Sequence, residues 1–206
     1  MAAAQFKVHL SPAEYYRRER AAEFKSEYFA GEVFAMAGGT VNHSRVKTNV
    51  TLSIGGALLK KGGGCLPFDS DLRVKVHQTG LRTYPDLTVI CGPVETDPED
   101  DKGETAINPT LIVEVLSDST ERYDRGTKFD HYQTIATLKQ YVLVSQGRPR
   151  VETFLRQADG TWQYASFSGL DAVAPLLSLD IELPLSEIFM GVTFPPAPPL
   201  SLLERT

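Results

Sequence analysis

Apolar positions recur at helical spacing between Asn42 and Lys61, at Val46, Val50, Ile54, Ala57 and Leu58, until Gly62, Gly63 and Gly64 end the run. Beyond the glycines the period drops to two: Leu72, Val74 and Val76 alternate with Arg73, Lys75 and His77, the pattern of a half-buried strand. Earlier in the chain, Ser11, Pro12 and Glu14 have the form of a capping box, which predicts a helix of about three turns reaching Glu23. Residues 27–36 carry apolar side chains on both sides of Ala30-Gly31 and predict a tight hairpin with Glu32 opening its second strand. Pro85 to Cys91, apolar after Asp86, and Leu111 to Leu116 read as buried strands, the second with Glu114 in its middle.

An acidic stretch, Glu95 to Glu104, separates these strands and reads as a mobile loop. Cap-forming Ser117, Asp118, Ser119 and Thr120 introduce one helix through Arg125, Lys128, Phe129, Tyr132 and Ile135. Leu138 to Ser145 is a further strand, and Arg150–Leu155 and Trp162–Phe167 flank a hairpin turn at Ala158-Asp159-Gly160-Thr161. This order predicts an α/β or α+β fold, one mixed β-sheet flanked by helices with additional β-hairpins. It forms a single domain over residues 1–192, and residues 193–206 are a Pro-rich extended tail.

A chain of 206 residues, 42% hydrophobic and 23% charged, suits one globular unit. The N-terminal residues lack the apolar stretch of a secretory signal and no run is long enough to span a bilayer, so a cytoplasmic protein without membrane contact is expected. Cys65 and Cys91, with no Cys-x-x-Cys pattern, read as small buried hydrophobes rather than as a disulfide or a zinc site. A net charge of −5 argues against coating nucleic acid by bulk electrostatics, though a local basic surface beside a metal site remains compatible with a nuclease.

The chemistry concentrates on three residues. A carboxylate within an aliphatic strand needs a partner charge, hydrogen bonds or a metal, and Glu114 is such a carboxylate. Asp86, near the start of the preceding buried strand, brings a second one within the ~4.8 Å that separates neighbouring strands. Two hard oxygen donors favour Mg2+ or Mn2+, with the main-chain carbonyl of Val115 as a further ligand. Lys128, on the following helix, can reach back toward Glu114 as the positive charge of a phosphodiester-cleaving site. Simpler roles compete with these. Asp86 after Pro85 can cap a turn, Glu114 and Lys128 can form a plain buried ion pair, Lys128 can pair with Asp124 on the helix surface, Glu32 can cap its hairpin and His43 can bond backbone at a helix start.

Tyr84-Pro85-Asp86, then Glu114-Val115-Leu116-Ser117, then Lys128-x-x-x-Tyr132 together resemble the PD-(D/E)XK nuclease superfamily, and within it the large bacterial Uma-two family grouped with restriction endonucleases. Gly31-Glu32 in an early hairpin, His43 opening a helix, Tyr141 to Val144 and Arg150 to Leu155 extend the likeness over roughly residues 10 to 190. The superfamily motif places lysine two residues after the acid, where this chain has Leu116. The resemblance moves that lysine to Lys128 on the next helix. It implies a restriction-endonuclease-like core and metal-dependent endonuclease activity on DNA, with Asp86, Glu114, Lys128 and Glu32 in the site and His43 and Tyr132 as substrate or outer contacts. It also suits a homodimer, because two strands must be cut. A second class is an accessory module that binds nucleic acid and keeps the fold with little or no catalysis. A small-molecule phosphodiesterase finds no phosphate-cradling glycine loop in the sequence.

Overall fold

Ser11 and Pro12 start the first helix as their chemistry requires: Ser11 Oγ accepts the Glu14 N–H at 3.2 Å and Pro12 opens α1 (Pro12–Ala21), which ends two residues short of Glu23. The computed structural model describes residues 9–36 and 38–194. β1 (Ser26–Phe29) and β2 (Glu32–Ala35) form the expected hairpin, and its turn residues, Ala30 (φ 49°) and Gly31 (φ 84°), both take the left-handed conformation that tight two-residue hairpin turns demand. α2 (Val41–Lys61) is capped by Thr40, whose Oγ1 accepts the His43 N–H, and it buries Val46, Val50, Ile54 and Leu58 along one stripe.

The remaining elements are β3 (Cys65–Asp69), β4 (Arg73–Lys75), β5 (Arg82–Thr83), β6 (Leu87–Cys91), β7 (Thr105–Ala106) and β8 (Leu111–Leu116), followed by α3 (Glu121–Arg125) and α4 (Thr127–Gln133). Then come β9 (Gln140–Ser145), β10 (Arg150–Arg156), β11 (Trp162–Ser168), β12 (Val173–Leu176), β13 (Ile181–Pro184) and α5 (Leu185–Ile188). The single helix predicted through Arg125 and Lys128 is broken at Gly126, which sits at φ −112°, ψ −102°.

Instead of one mixed sheet, the described residues form two, plus a two-stranded ribbon. The larger runs β11-β10-β9-β8-β6-β3, with β8 and β9 parallel across the α3–α4 crossover and the other pairs antiparallel. The smaller runs β2-β1-β5-β4-β7. The two faces of β8 explain the arrangement. Leu111, Val113 and Val115 join the core under α2 and α5, whereas Ile112 and Leu116 join a second core with Tyr132 of α4, Val74 of β4, and Val76 and Leu81 of the β4–β5 connection. Glu114 has the parity of Ile112 and Leu116, so the pleat aims it at α4.

Two further expectations are corrected. Cys65 and Cys91 are opposite each other in the β3–β6 register and form a disulfide. Their spacing gave no hint because β3, a strand interrupted by Pro67 at the edge of its sheet, has no clear alternation. Closing a loop across a separation of 26 residues restricts the unfolded chain by about 3 kcal/mol. Reduction is therefore expected to lower the urea midpoint, and identical curves with and without reductant contradict the bond.

Secondly, Arg73 and Lys75 do not face solvent, and the acidic stretch is anchored on them. Asp97 is 1% exposed and bonded by Lys75 at 2.8 Å, and Asp100 is 5% exposed and bonded by Thr105 Oγ1 at 2.6 Å and Arg20 at 2.7 Å. Burial pushes the Asp97 carboxyl up, but Lys75, Tyr16 and the Glu99 N–H outweigh it and hold it below its ordinary 3.8. A carboxyl lowered in the folded state stabilises the fold above its unfolded value, and that stability disappears as pH falls through the folded value. The urea midpoint is thus expected to drop steeply below about pH 3.8. Asp97→Asn should be less stable at pH 7 and less sensitive to acid, and an unchanged acid profile in that variant contradicts this role.

Finally, residues 195–206 of the expected tail lie outside the described residues, while Phe194 packs on Phe189 with ring centroids 5.5 Å apart.

Candidate active site

The β6–β8 register pairs Leu87 with Val113, and one further step sets Asp86 opposite Glu114. Asp86 Oδ2 accepts the Val115 N–H at 2.8 Å, which fixes the carboxylate at the strand end. Two side chains one turn apart on α2 face it. His43 Nε2 lies 3.4 Å from Oδ2 and Lys47 Nζ 4.0 Å from Oδ1. Burial pushes the Asp86 carboxyl up, yet His43, the Val115 N–H and Lys47 outweigh it and leave it below its usual range. It is ionised at neutral pH.

Glu114 meets the α4 residues toward which the pleat aims it. Its Oε1 accepts the Tyr132 hydroxyl at 2.8 Å and lies 2.9 Å from Lys128 Nζ. That ammonium also stands 3.3 Å from Glu27 Oε1 and 3.5 Å from Asp124 Oδ1. Burial pushes the Glu114 carboxyl up to about 8; Lys128 opposes the shift, and Asp124 and Asp86 add to it. Lys128 is held well above its ordinary value, because three carboxylates outweigh the effect of its burial.

These groups line a cleft of about 1180 Å³. It brings together Asp86, Glu114, Val115, His43 and Lys128 from the sequence-predicted set, while Tyr132 stands behind Glu114. Glu32 is opposite Phe29 at the turn end of its hairpin and is not among the lining residues; the acid this hairpin sends to Lys128 is Glu27. Asp124 is buried, not the surface partner that helical spacing suggested. Sequence reasoning missed Glu27 and Lys47. The signals were there: Glu27 alternates with Tyr28 in front of the turn, and Lys47 follows His43 by one helical turn.

Among the described residues no three His, Cys, Asp or Glu side chains already converge as a metal cage. Magnesium needs no such cage, since one or two carboxylates with water and substrate oxygens are its usual shell. The cleft is lined by six acidic side chains, Glu23, Glu27, Asp86, Glu114, Asp118 and Asp124, against the ammonium groups of Lys25, Lys47 and Lys128. Hard oxygens on facing strands in a field of excess negative charge fit a divalent cation.

The fold is that of a nuclease-like α+β protein. A crystal structure of "a putative nuclease belonging to DUF820" from Anabaena variabilis superposes with a TM-score of 0.65 over 82% of this chain and 91% of that one, at 18% identity. The chain belongs to the Uma2 family, described as "Putative restriction endonuclease", which matches residues 12–186. Two proteins of Synechocystis sp. are similar to it. The uncharacterized protein slr1290 is 36% identical over 186 residues, covering 90% of this chain and 94% of its own, and the uncharacterized protein sll1609 is 35% identical over 168 residues, covering 79% and 90%. Among the described residues no helix is long and apolar enough to cross a membrane.

Proposed function

We propose that this protein is a metal-dependent endonuclease that hydrolyses phosphodiester bonds in DNA, using a PD-(D/E)XK-type site in which Asp86 and Glu114 hold Mg2+ or Mn2+. The observation that carries this reading is the register that sets Asp86 against Glu114, with Asp86 locked onto the Val115 N–H, inside an open cleft. The main-chain carbonyl of Val115 is the third protein oxygen.

When bound, the cation supplies Lewis acidity toward a phosphoryl oxygen and lowers the pKa of attacking water. The chain's own residues prepare that chemistry. Asp86 offers an ionised carboxylate whose orientation one backbone hydrogen bond fixes. Tyr132 and Lys128 hold Glu114 in a single position, so its oxygen does not have to be ordered when the cation arrives. We assign Lys128 to this positioning because its ammonium already faces three carboxylates and its side chain is 6% exposed. His43 stands at Asp86 Oδ2, where it steadies the carboxylate or meets substrate.

Supercoiled plasmid incubated with Mg2+ or Mn2+ is expected to become nicked and linear, and RNA offered in parallel measures the preference for DNA. Cleavage that survives Asp86→Ala and Glu114→Ala removes the proposal. Cutting both strands calls for two sites, which a symmetric homodimer provides. Light scattering is expected to give twice the chain mass, and a strict monomer excludes the dimer.

A further inference from the structure

Three lysines line the cleft, and their surroundings are unequal. Lys128 is buried with its ammonium within 3.5 Å of three carboxylates, those of Glu27, Glu114 and Asp124. Lys25 pairs with the Asp71 carboxylate and also donates to the Ser70 carbonyl at 2.9 Å. Lys47 donates to the neutral Ser70 hydroxyl at 3.1 Å, and its nearest carboxylate oxygen, Asp86 Oδ1, is 4.0 Å away. Its side chain is 32% exposed, against 6% for Lys128.

We infer that Lys47 is the lysine that meets the nucleic-acid backbone, holding a phosphate beside Asp86, and that Lys128 does not touch substrate. This rests on the nuclease reading above and names a substrate contact that neither the motif nor its displaced lysine indicates. Geometry and charge support it. α2 places Lys47 one turn after His43, so both side chains face Asp86 from the same helix face. A phosphate bridging the carboxylate-held cation and Lys47 would exchange the ammonium's contact with a neutral hydroxyl for one with an anion, without breaking a close ion pair. Lys128 could reach a phosphate only by giving up carboxylates that its burial requires.

The test is binding of a short fluorescein-labelled duplex by fluorescence anisotropy, with calcium replacing magnesium to prevent turnover, across a series of NaCl concentrations. Each lysine–phosphate contact contributes about 0.9 to the slope of log affinity against log salt. Lys47→Gln is expected to bind several-fold more weakly on unrelated sequences, with a slope smaller by about one. Lys47→Arg should recover most of the affinity, and the melting temperature of both variants should match that of the unsubstituted protein. Unchanged affinity and slope in Lys47→Gln overturn the inference. If Asp86-dependent plasmid cleavage persists alongside that result, the active-site reading stands and only the Lys47 assignment falls. A protein that neither binds the duplex nor cuts plasmid overturns both.

Discussion

Asp86→Ala is expected to reduce plasmid cleavage at saturating Mg2+ by about 10²–10³-fold, the scale on which removal of one preorganised electrostatic contact acts. The carboxylate lost here is the one already ionised at neutral pH and already oriented by Val115. The fold should tolerate the change. Asp86 precedes β6 at the edge of the cleft, so its removal leaves one N–H to be solvated, at a cost of about 1 kcal/mol. Asp86→Asn separates the two effects, because it keeps an oxygen for the Val115 N–H and removes only the charge. Quantifying nicked plasmid against time for all three proteins gives the answer. An Asp86→Asn variant that cuts at the original rate contradicts a cation held by this carboxylate.

Lys128→Met is expected to destabilise the protein by about 3–5 kcal/mol, the cost of removing one side of a buried charge cluster. Methionine fills much of the lysine's volume, so the loss is electrostatic: Glu27, Glu114 and Asp124 are left together without their common cation. Adding Glu114→Gln puts a permanently neutral group in place of the acid that burial already pushes up to about 8, keeps an acceptor for Tyr132, and should recover part of the loss. Urea unfolding of the single variants and the double variant measures the coupling directly. A Lys128→Met protein as stable as the unsubstituted one contradicts the cluster. Partial recovery in the double variant, with cleavage lost, shows stability gained at the expense of the charged site.

The parts of the fold legible in the sequence were those in which one physical preference dominates. Ser11-Pro12, the Ala30-Gly31 turn and the four-residue stripe of α2 each have a local cause, and each element formed where that cause placed it. Glu114 was legible for a related reason. A carboxylate in an aliphatic strand needs a partner, and Lys128 and Tyr132 are there. What stayed hidden depended on contacts between distant segments. β3 finds its partner only through the register with β6, so both the strand and the Cys65–Cys91 bond were missed. Arg73 and Lys75 looked like a solvent face because the acids that cover them come from a stretch that reads as a loop. Glu27 was passed over for Glu32 because the motif points to the turn, whereas strand pairing decides which acid reaches Lys128.

Whether Asp86 and Glu114 hold one divalent cation between them is decided by anomalous difference density from crystals soaked in manganese. A single strong peak is expected within bonding distance of both carboxylates and close to the Val115 carbonyl, and it should be absent in Asp86→Ala crystals. Saturated crystals that show no peak there, with Glu114 still held by Lys128 and Tyr132, would contradict a shared cation.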